Sequence, residues 1–280
     1  MQIIKTITDI REVIKTWQAA GETVAFVPTM GNLHAGHLQL VRRAKENANR
    51  VVVSIFVNPT QFGVGEDFEA YPRTELEDQE KLKKEGADLL FLPSVIDVYS
   101  SEANTNITVA GLSEAYCGAF RPGHFSGVAT VVCKLFNIVQ PNVALFGRKD
   151  FQQLTIIKMM VRDLNIPVEI IGVDTVRDPS GLAMSSRNGY LTEDEKKVAS
   201  MIYYTLGIAR EAILGGNENF ADIEKKAMQS LSQIGFQPDY FSVCRASDLK
   251  KATIEDVNLV LLVAAKLGKT RLIDNLCFSR

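Results

Sequence analysis

The first half of the chain alternates short apolar runs with amphipathic stretches. Residues 24–27 (VAFV) stop at Pro28, and residues 51–57 (VVVSIFV) are apolar on both faces of an extended chain. Runs rich in β-branched side chains and lacking polar alternation predict parallel strands covered on both sides. Residues 88–92, 143–146 and 168–173 have the same character. Between these runs the apolar spacing turns helical, which predicts helices over 36–49, 74–86, 127–138 and 150–164. Strands and helices in alternation imply βαβ units, right-handed crossovers and a parallel sheet with helices on both faces.

The pattern changes near Arg177. Residues 177–189 (RDPSGLAMSSRNG) are rich in Ser, Gly, Asn and Pro and read as a loop. Thr192 with Glu195 three residues on marks a helix start. Helices are predicted over 192–214 and 221–234, and strands over 240–245, 258–266 and 270–273. Leu267-Gly268-Lys269 joins the last two strands as a hairpin. The expected division is a larger α/β domain over 1–177 and a smaller α+β domain over 178–280. No internal repeat or low-complexity tract interrupts either half.

Composition narrows the function classes. Of 280 residues, 46 % are hydrophobic and 23 % charged, and the formal net charge is -2. A chain without a basic excess is a poor partner for nucleic acid, whose phosphates demand clustered Lys and Arg. No apolar run approaches the roughly 18 residues a membrane-spanning helix requires. The first residues, MQIIKTITDIREVIKTW, mix charged and apolar positions at helical spacing and contain no signal-peptide core. The four cysteines, Cys117, Cys133, Cys244 and Cys277, include no C-x-x-C pair. Four reduced thiols in a cytoplasmic protein are expected.

Histidine usage carries the chemistry. There are three, His34, His37 and His124, and two of them share the segment TMGNLHAGH that leaves the first predicted strand and enters a helix. Three residues apart, the imidazoles lie on one helix face. At a helix start they sit beside unsatisfied N–H groups and the positive end of the dipole, a ready site for phosphate. Gly31 and Gly36 permit close approach of a ligand to the backbone. A zinc site is disfavoured, because no third histidine or nearby cysteine completes the set.

H-x-G-H after a first strand resembles the signature of the nucleotidyltransferase superfamily, which attacks the α-phosphate of a nucleotide. Met184-Ser185-Ser186-Arg187-Asn188 is similar to the late serine- or lysine-rich loop of those enzymes. The segments FVPTMGNLHAGHLQLVRRA, SIFVNPTQFG, YPRT, RPGHFSGVATVVCKLFNIVQP, FGRKDFQQL and PSGLAMSSRN together resemble the pantoate–β-alanine ligase (pantothenate synthetase) family. The likeness runs from about residue 20 to residue 192 and resumes at residues 268–275.

The resemblance implies a Rossmann-like nucleotide-binding domain with the smaller C-terminal domain as a lid. It implies ATP-dependent condensation of pantoate with β-alanine through a pantoyl adenylate, releasing AMP and pyrophosphate. By position, Met30, Gly31, Asn32, Leu33, His34, Ala35, Gly36 and His37 match the ATP segment, with His37 as proton donor and His34 beside it. Gly147, Arg148, Lys149, Asp150, Val176, Met184, Ser185, Ser186 and Arg187 match the remaining nucleotide contacts. Gln61 matches a contact to pantoate and β-alanine, and Gln153 a second contact to pantoate. Phe62 and Phe151 would wall the dimethyl group of pantoate. Arg121 and His124 either line the same pocket or hold a loop by hydrogen bonds. The Glu77–Asp78 pair reads as a solvated helix face rather than a metal site, so no protein metal ligand is expected and Mg2+ would arrive with ATP. The loop over 63–67 lacks a proline common in relatives, which predicts greater mobility. A homodimer is implied, with no membrane or nucleic-acid partner. Two other readings remain at this point: a different H-x-G-H nucleotidyltransferase and a non-catalytic nucleotide sensor.

Overall fold

The computed structural model describes residues 1–63 and 65–280; Val64, within the loop expected to be mobile, lies outside the described residues. The elements in chain order are β1 (Gln2–Ile4), α1 (Ile7–Ala19), β2 (Val24–Thr29), α2 (Ala35–Lys45), β3 (Arg50–Ile55), α3 (Glu75–Glu85), β4 (Leu89–Phe91), α4 (Val95–Val98), α5 (Cys117–Phe120), α6 (His124–Val139), β5 (Val143–Gly147), α7 (Phe151–Asp163) and β6 (Glu169–Val173). There follow α8 (Glu193–Ala199), α9 (Met201–Leu214), α10 (Phe220–Gln233), β7 (Gln237–Arg245), β8 (Asn258–Leu267) and β9 (Thr270–Ser279).

The chain forms two compact units: Met1–Arg148 with Ile156–Asp174, and Lys149–Thr155 with Thr175–Arg280. The first contains a six-stranded sheet in the order β1-β4-β3-β2-β5-β6. Its strand pairs are all parallel. Side chains alternate across a strand, so the continuous apolar runs cover both faces. Ala25, Val27, Val51 and Val53 point to one side and pack with Leu40, Val41 and Ala44 of α2 and Leu82 of α3. Phe26 points to the other side and meets Phe136 of α6 edge-on, with Phe146 completing the cluster.

The order reverses between β2 and β5. From β2 the chain steps outward through β3 to β4, and then returns to start β5 on the opposite side. β2 pairs with β3 along its whole length to Thr29↔Ile55, but with β5 only at Ala25↔Val143 and Phe26↔Ala144. Beyond that point the two strands part toward their carboxyl ends. A crevice at this position is where open α/β sheets bind ligands.

The second unit contains an antiparallel sheet, β7-β8-β9, covered by α9 and α10. β8 and β9 pair from Leu267↔Thr270 to Asn258↔Ser279. Gly268, at φ 56°, supplies the left-handed backbone of the intervening turn. Three expectations change here. β1, which the pattern did not single out, is an additional edge strand paired with β4. The helix expected over 192–214 breaks at Ser200, whose hydroxyl donates to the Lys197 carbonyl at 2.7 Å. The last strand extends to Ser279 rather than stopping at Ile273. Its polar residues Asp274 and Asn275 are buried because each has a partner.

Candidate active site

The segment after β2 turns sharply into α2. Gly31 has φ 84° and Asn32 φ 51°. Asp78 of α3 secures this turn from beneath: one oxygen accepts from the Asn32 N–H and the other from the Leu33 N–H, both at 2.8 Å. Thr74 Oγ1 donates to the same carboxylate, and Lys81 Nζ donates to the Leu33 carbonyl. A Cβ on Gly31 would stand 3.0 Å from Ile55 Cγ2 and 3.3 Å from Asp78 Oδ2, in addition to the strain of its positive φ. The expected solvated helix face therefore holds for Glu77, which is exposed, and fails for Asp78, which is 0 % exposed. A buried carboxylate needs compensating donors, and the turn provides them.

His34 caps α2. Its Nδ1 accepts from the Gly36 N–H at 3.1 Å, and His37 Nδ1 accepts from the His34 N–H at 3.4 Å. The rings lie 4.1 Å apart between centroids, tilted by 37°. An Nδ1 that accepts a main-chain N–H carries no proton, so in each neutral imidazole the proton is on Nε2. The cap thus engages the Nδ1 of each ring as an acceptor, which puts the proton of the neutral ring on Nε2. The first turn of α2 presents these donors with the positive end of its dipole.

Gln61 is set in a 3₁₀ turn, Pro59–Gln61, after β3. Its Oε1 accepts from Asn58 Nδ2 at 3.1 Å, and its Nε2 donates toward Met30 Sδ at 3.1 Å. The structure therefore brings Met30 and Gln61 together, two positions that are separate motifs in the sequence. Asn58, quoted in its motif but given no role, is the orienting residue. Its Nδ2 also donates to the Gly127 carbonyl, while Oδ1 accepts from Thr60 N–H, Thr60 Oγ1 and Tyr99 Oη. With its donor and acceptor both engaged, the amide has one orientation. Burial raises the Tyr99 phenol above its ordinary range, so the hydroxyl remains a donor to this network. Phe62 packs edge-on against Phe68 and Tyr71.

His124, at the start of α6, holds the same turn from the other side. Its Nδ1 is 2.7 Å from the Gln61 carbonyl and its Nε2 3.0 Å from Arg121 Nη1. Arg121 in turn makes a two-point pair with Glu66. Burial pushes the Glu66 carboxyl up, but the Arg121 guanidinium outweighs it and keeps the group below the usual carboxylate range. Of the two readings the sequence left open for His124, the structure displays the loop-holding one.

The other positions expected to meet the nucleotide lie on two further segments. Gly147 ends β5, and Arg148, exposed, pairs with Asp174 at 3.1 Å. Lys149 and Asp150 complete a 3₁₀ turn before α7, and Gln153 sits partly buried in the first turn of α7. In the second unit the Val176 carbonyl accepts from Met184 N–H, closing a short hairpin. Ser185 Oγ caps the 3₁₀ turn Ser186–Tyr190 by accepting from Arg187 N–H. Arg177 anchors the hairpin. It donates to both oxygens of Asp274 at 2.6 and 2.9 Å and lies 3.7 Å over the Tyr203 ring. Residues 177–189 have the composition of a plain loop, and that composition conceals this anchor, since Asp274 is 97 positions away.

Removing that anchor has a predictable cost. Arg177→Ala leaves the buried Asp274 carboxylate without its counter-charge, and the expected loss of stability is about 3–5 kcal/mol. Urea unfolding of the variant beside the parent reads it, and equal midpoints would rule out the anchoring role.

Comparison with known proteins decides the family. Residues 2–277 match the pantoate-beta-alanine ligase family. A pantothenate synthetase of Methylococcus capsulatus is 57 % identical over 100 % of this chain and 98 % of its own length. One from Shewanella loihica is 56 % identical, with 100 % of both chains covered. The chain belongs to the pantoate–β-alanine ligase family. Its reaction is accordingly the joining of pantoate to β-alanine. The crystal structure of pantothenate synthetase from Thermus thermophilus superposes with a TM-score of 0.93 at 43 % identity, over 99 % of each chain. A pantoate-beta-alanine ligase from Francisella tularensis, solved in complex with beta-gamma ATP and beta-alanine, gives 0.81 at 35 % identity over 99 % of this chain and 97 % of that one. Membership in a ligase family sets aside the sensor reading and the nucleotidyltransferase that retains its nucleotide.

Proposed function

We propose that the ligation runs through a pantoyl adenylate made at the mouth of α2. A pantoate carboxylate oxygen attacks the α-phosphorus of ATP, the α–β phosphoanhydride bond breaks, and pyrophosphate leaves. The β-alanine amine then attacks the acyl carbon, an amide bond forms and AMP departs. A carboxylate is a poor acyl donor, and adenylation gives it a good leaving group.

The observation that carries this reading is the pair of imidazoles whose Nδ1 atoms are consumed by the cap of α2. Their Nε2–H groups donate to phosphate oxygens as charge builds during displacement. His37 acts as proton donor in this reading, with His34 beside it. Met30, Gly31, Asn32, Leu33, Ala35 and Gly36 form the ATP segment around them. Gly147, Arg148, Lys149, Asp150, Val176, Met184, Ser185, Ser186 and Arg187 are the other nucleotide contacts, with Lys149 and Arg187 bringing charge. Gln61 meets pantoate and then β-alanine. Its amide can donate to a hydroxyl or carboxylate and accept from an amine.

Mg2+ enters this reading as MgATP. Asp78 is occupied by the Gly31–Leu33 turn, and among the described residues no group of three or more His, Cys, Asp or Glu is arranged to hold a metal. Triphosphate oxygens and water suit this ion better than a protein cage. The reading includes a homodimer, as the resemblance implies, and work in the cytoplasm. All four cysteines are present as thiols, and among the described residues no helix is long and apolar enough to cross a membrane.

Exchange of labelled pyrophosphate into ATP tests the adenylate route. Exchange that requires pantoate and proceeds without β-alanine is expected, and exchange that demands both acids would count against a free-standing first half-reaction. Gln153→Ala is expected to raise the KM for pantoate about tenfold, the equivalent of one hydrogen bond, and to leave that for ATP nearly unchanged. Equal losses for the two substrates would remove Gln153 from the pantoate contacts.

A further inference from the structure

We propose that His124 is a positioning residue for the Gln61 amide, acting through the Gln61 main-chain carbonyl, with Arg121 and Glu66 holding its ring in one tautomer. The proposal rests on the reading of Gln61 as the pantoate-contacting amide and adds how that amide is aimed.

The tautomer follows from partners that have one role each. A carbonyl only accepts, so the Nδ1 facing Gln61 O at 2.7 Å carries the proton. A guanidinium only donates, so the Nε2 facing Arg121 Nη1 at 3.0 Å is bare. The Arg121 fork is oriented by its bonds to Glu66, Nε to Oε1 at 2.6 Å and Nη2 to Oε2 at 2.5 Å. Arg121 therefore donates both to Glu66 and to His124, and His124 in turn donates to the carbonyl of Gln61. His124 is itself buried, at 9 % exposure, so an imidazole without these partners would be costly.

One turn along the same face of α6, Gly127 completes the seat. A Cβ there would lie 2.4 Å from Thr60 O and 2.8 Å from Gln61 N, closer than any side chain can stand. The main chain of the 3₁₀ turn thus rests directly on the helix, and the Gly127 carbonyl accepts from Asn58 Nδ2 at 3.2 Å. The first turn of α6 grips the substrate loop at the Gln61 carbonyl, at the Thr60–Gln61 peptide and at Asn58. His124 fixes where the Gln61 backbone sits, and Asn58 fixes which way its amide faces. Binding amides must be held to within about half an ångström to be productive, and such precision comes from supporting contacts of this kind.

Four variants of the full chain test the proposal: Gln61→Ala, His124→Ala, His124→Asn and the double variant His124→Ala/Gln61→Ala, each assayed for pantoate and ATP KM. His124→Ala is expected to raise the KM for pantoate about tenfold, while that for ATP stays within about twofold. His124→Asn places an amide donor near the Nδ1 position and is expected to recover most of the loss. If His124 acts through Gln61, the double variant binds pantoate no worse than Gln61→Ala alone. Additive losses, equal losses for both substrates, or an asparagine variant as impaired as alanine would each overturn the proposal. Should Gln61→Ala itself leave pantoate KM unchanged, the substrate reading of Gln61 falls first, and the positioning role with it. Should Gln61→Ala raise it while the cycle is additive, only the positioning role falls. His124→Asn preserves the buried donor, so the comparison survives even if the alanine variant does not fold.

Discussion

Replacing His37 by asparagine is expected to lower pantoate-dependent pyrophosphate exchange by about 10²–10³-fold, the scale of losing one donor to a developing oxyanion. Asparagine is the informative choice. Its Oδ1 can accept the His34 N–H that His37 Nδ1 accepts in the parent, so the cap of α2 is kept. What disappears is the Nε2–H. His37→Ala removes both and should add a modest loss of stability, about 1 kcal/mol for a missing cap. The contrast separates chemistry from folding. If His37→Asn exchanges pyrophosphate at the parent rate, the donor role is wrong, whatever the alanine variant does. A loss in exchange that vanishes at saturating ATP would instead make His37 a ground-state contact only.

Removing the Asp78 carboxylate is expected to damage both stability and nucleotide handling. Asp78→Ala strands the Asn32 and Leu33 N–H groups in a buried turn and leaves Lys81 without its near carboxylate, 3.8 Å away. Each orphaned buried donor costs about 1–3 kcal/mol, so a total of roughly 3–5 kcal/mol is expected. Asp78→Asn retains one acceptor and turns an NH2 group against the other main-chain N–H. It should fold with a smaller deficit and show a raised KM for ATP, because the Gly31–Leu33 turn leads directly into the histidine cap. Thermal unfolding and ATP kinetics on the two variants read both effects. Parent-like ATP kinetics in a folded Asp78→Asn enzyme would show that the turn holds without this carboxylate.

These two residues mark where local sequence stops being informative. The place of His37 is legible because the features that mark it lie within residues 29–37: a strand ends, a glycine follows, and two imidazoles meet at one helix start. Asp78 is not, because a carboxylate on a charged helical stretch has the same pattern whether it faces water or a turn 45 residues away. The end of β9 shows the same limit. Asp274 and Asn275 interrupt the apolar alternation, so on pattern alone the strand finishes at Ile273. The strand continues because Arg177 and the Lys149 carbonyl receive those side chains in the interior.

Local pattern by itself was enough for the strands of the parallel sheet other than β1, the helices between them, the closing hairpin and the placing of two histidines at one helix start, since each depends on residues a few positions apart. Ordered motifs along the chain were enough for the family. The tertiary fold alone decided that Met30 meets the Gln61 amide, that His124 grips the backbone of that residue, and that Asp78 lies inside. Each is a polar group whose partner is remote in sequence, and hydrogen bonding satisfies buried polar atoms by proximity in space, which no periodicity encodes.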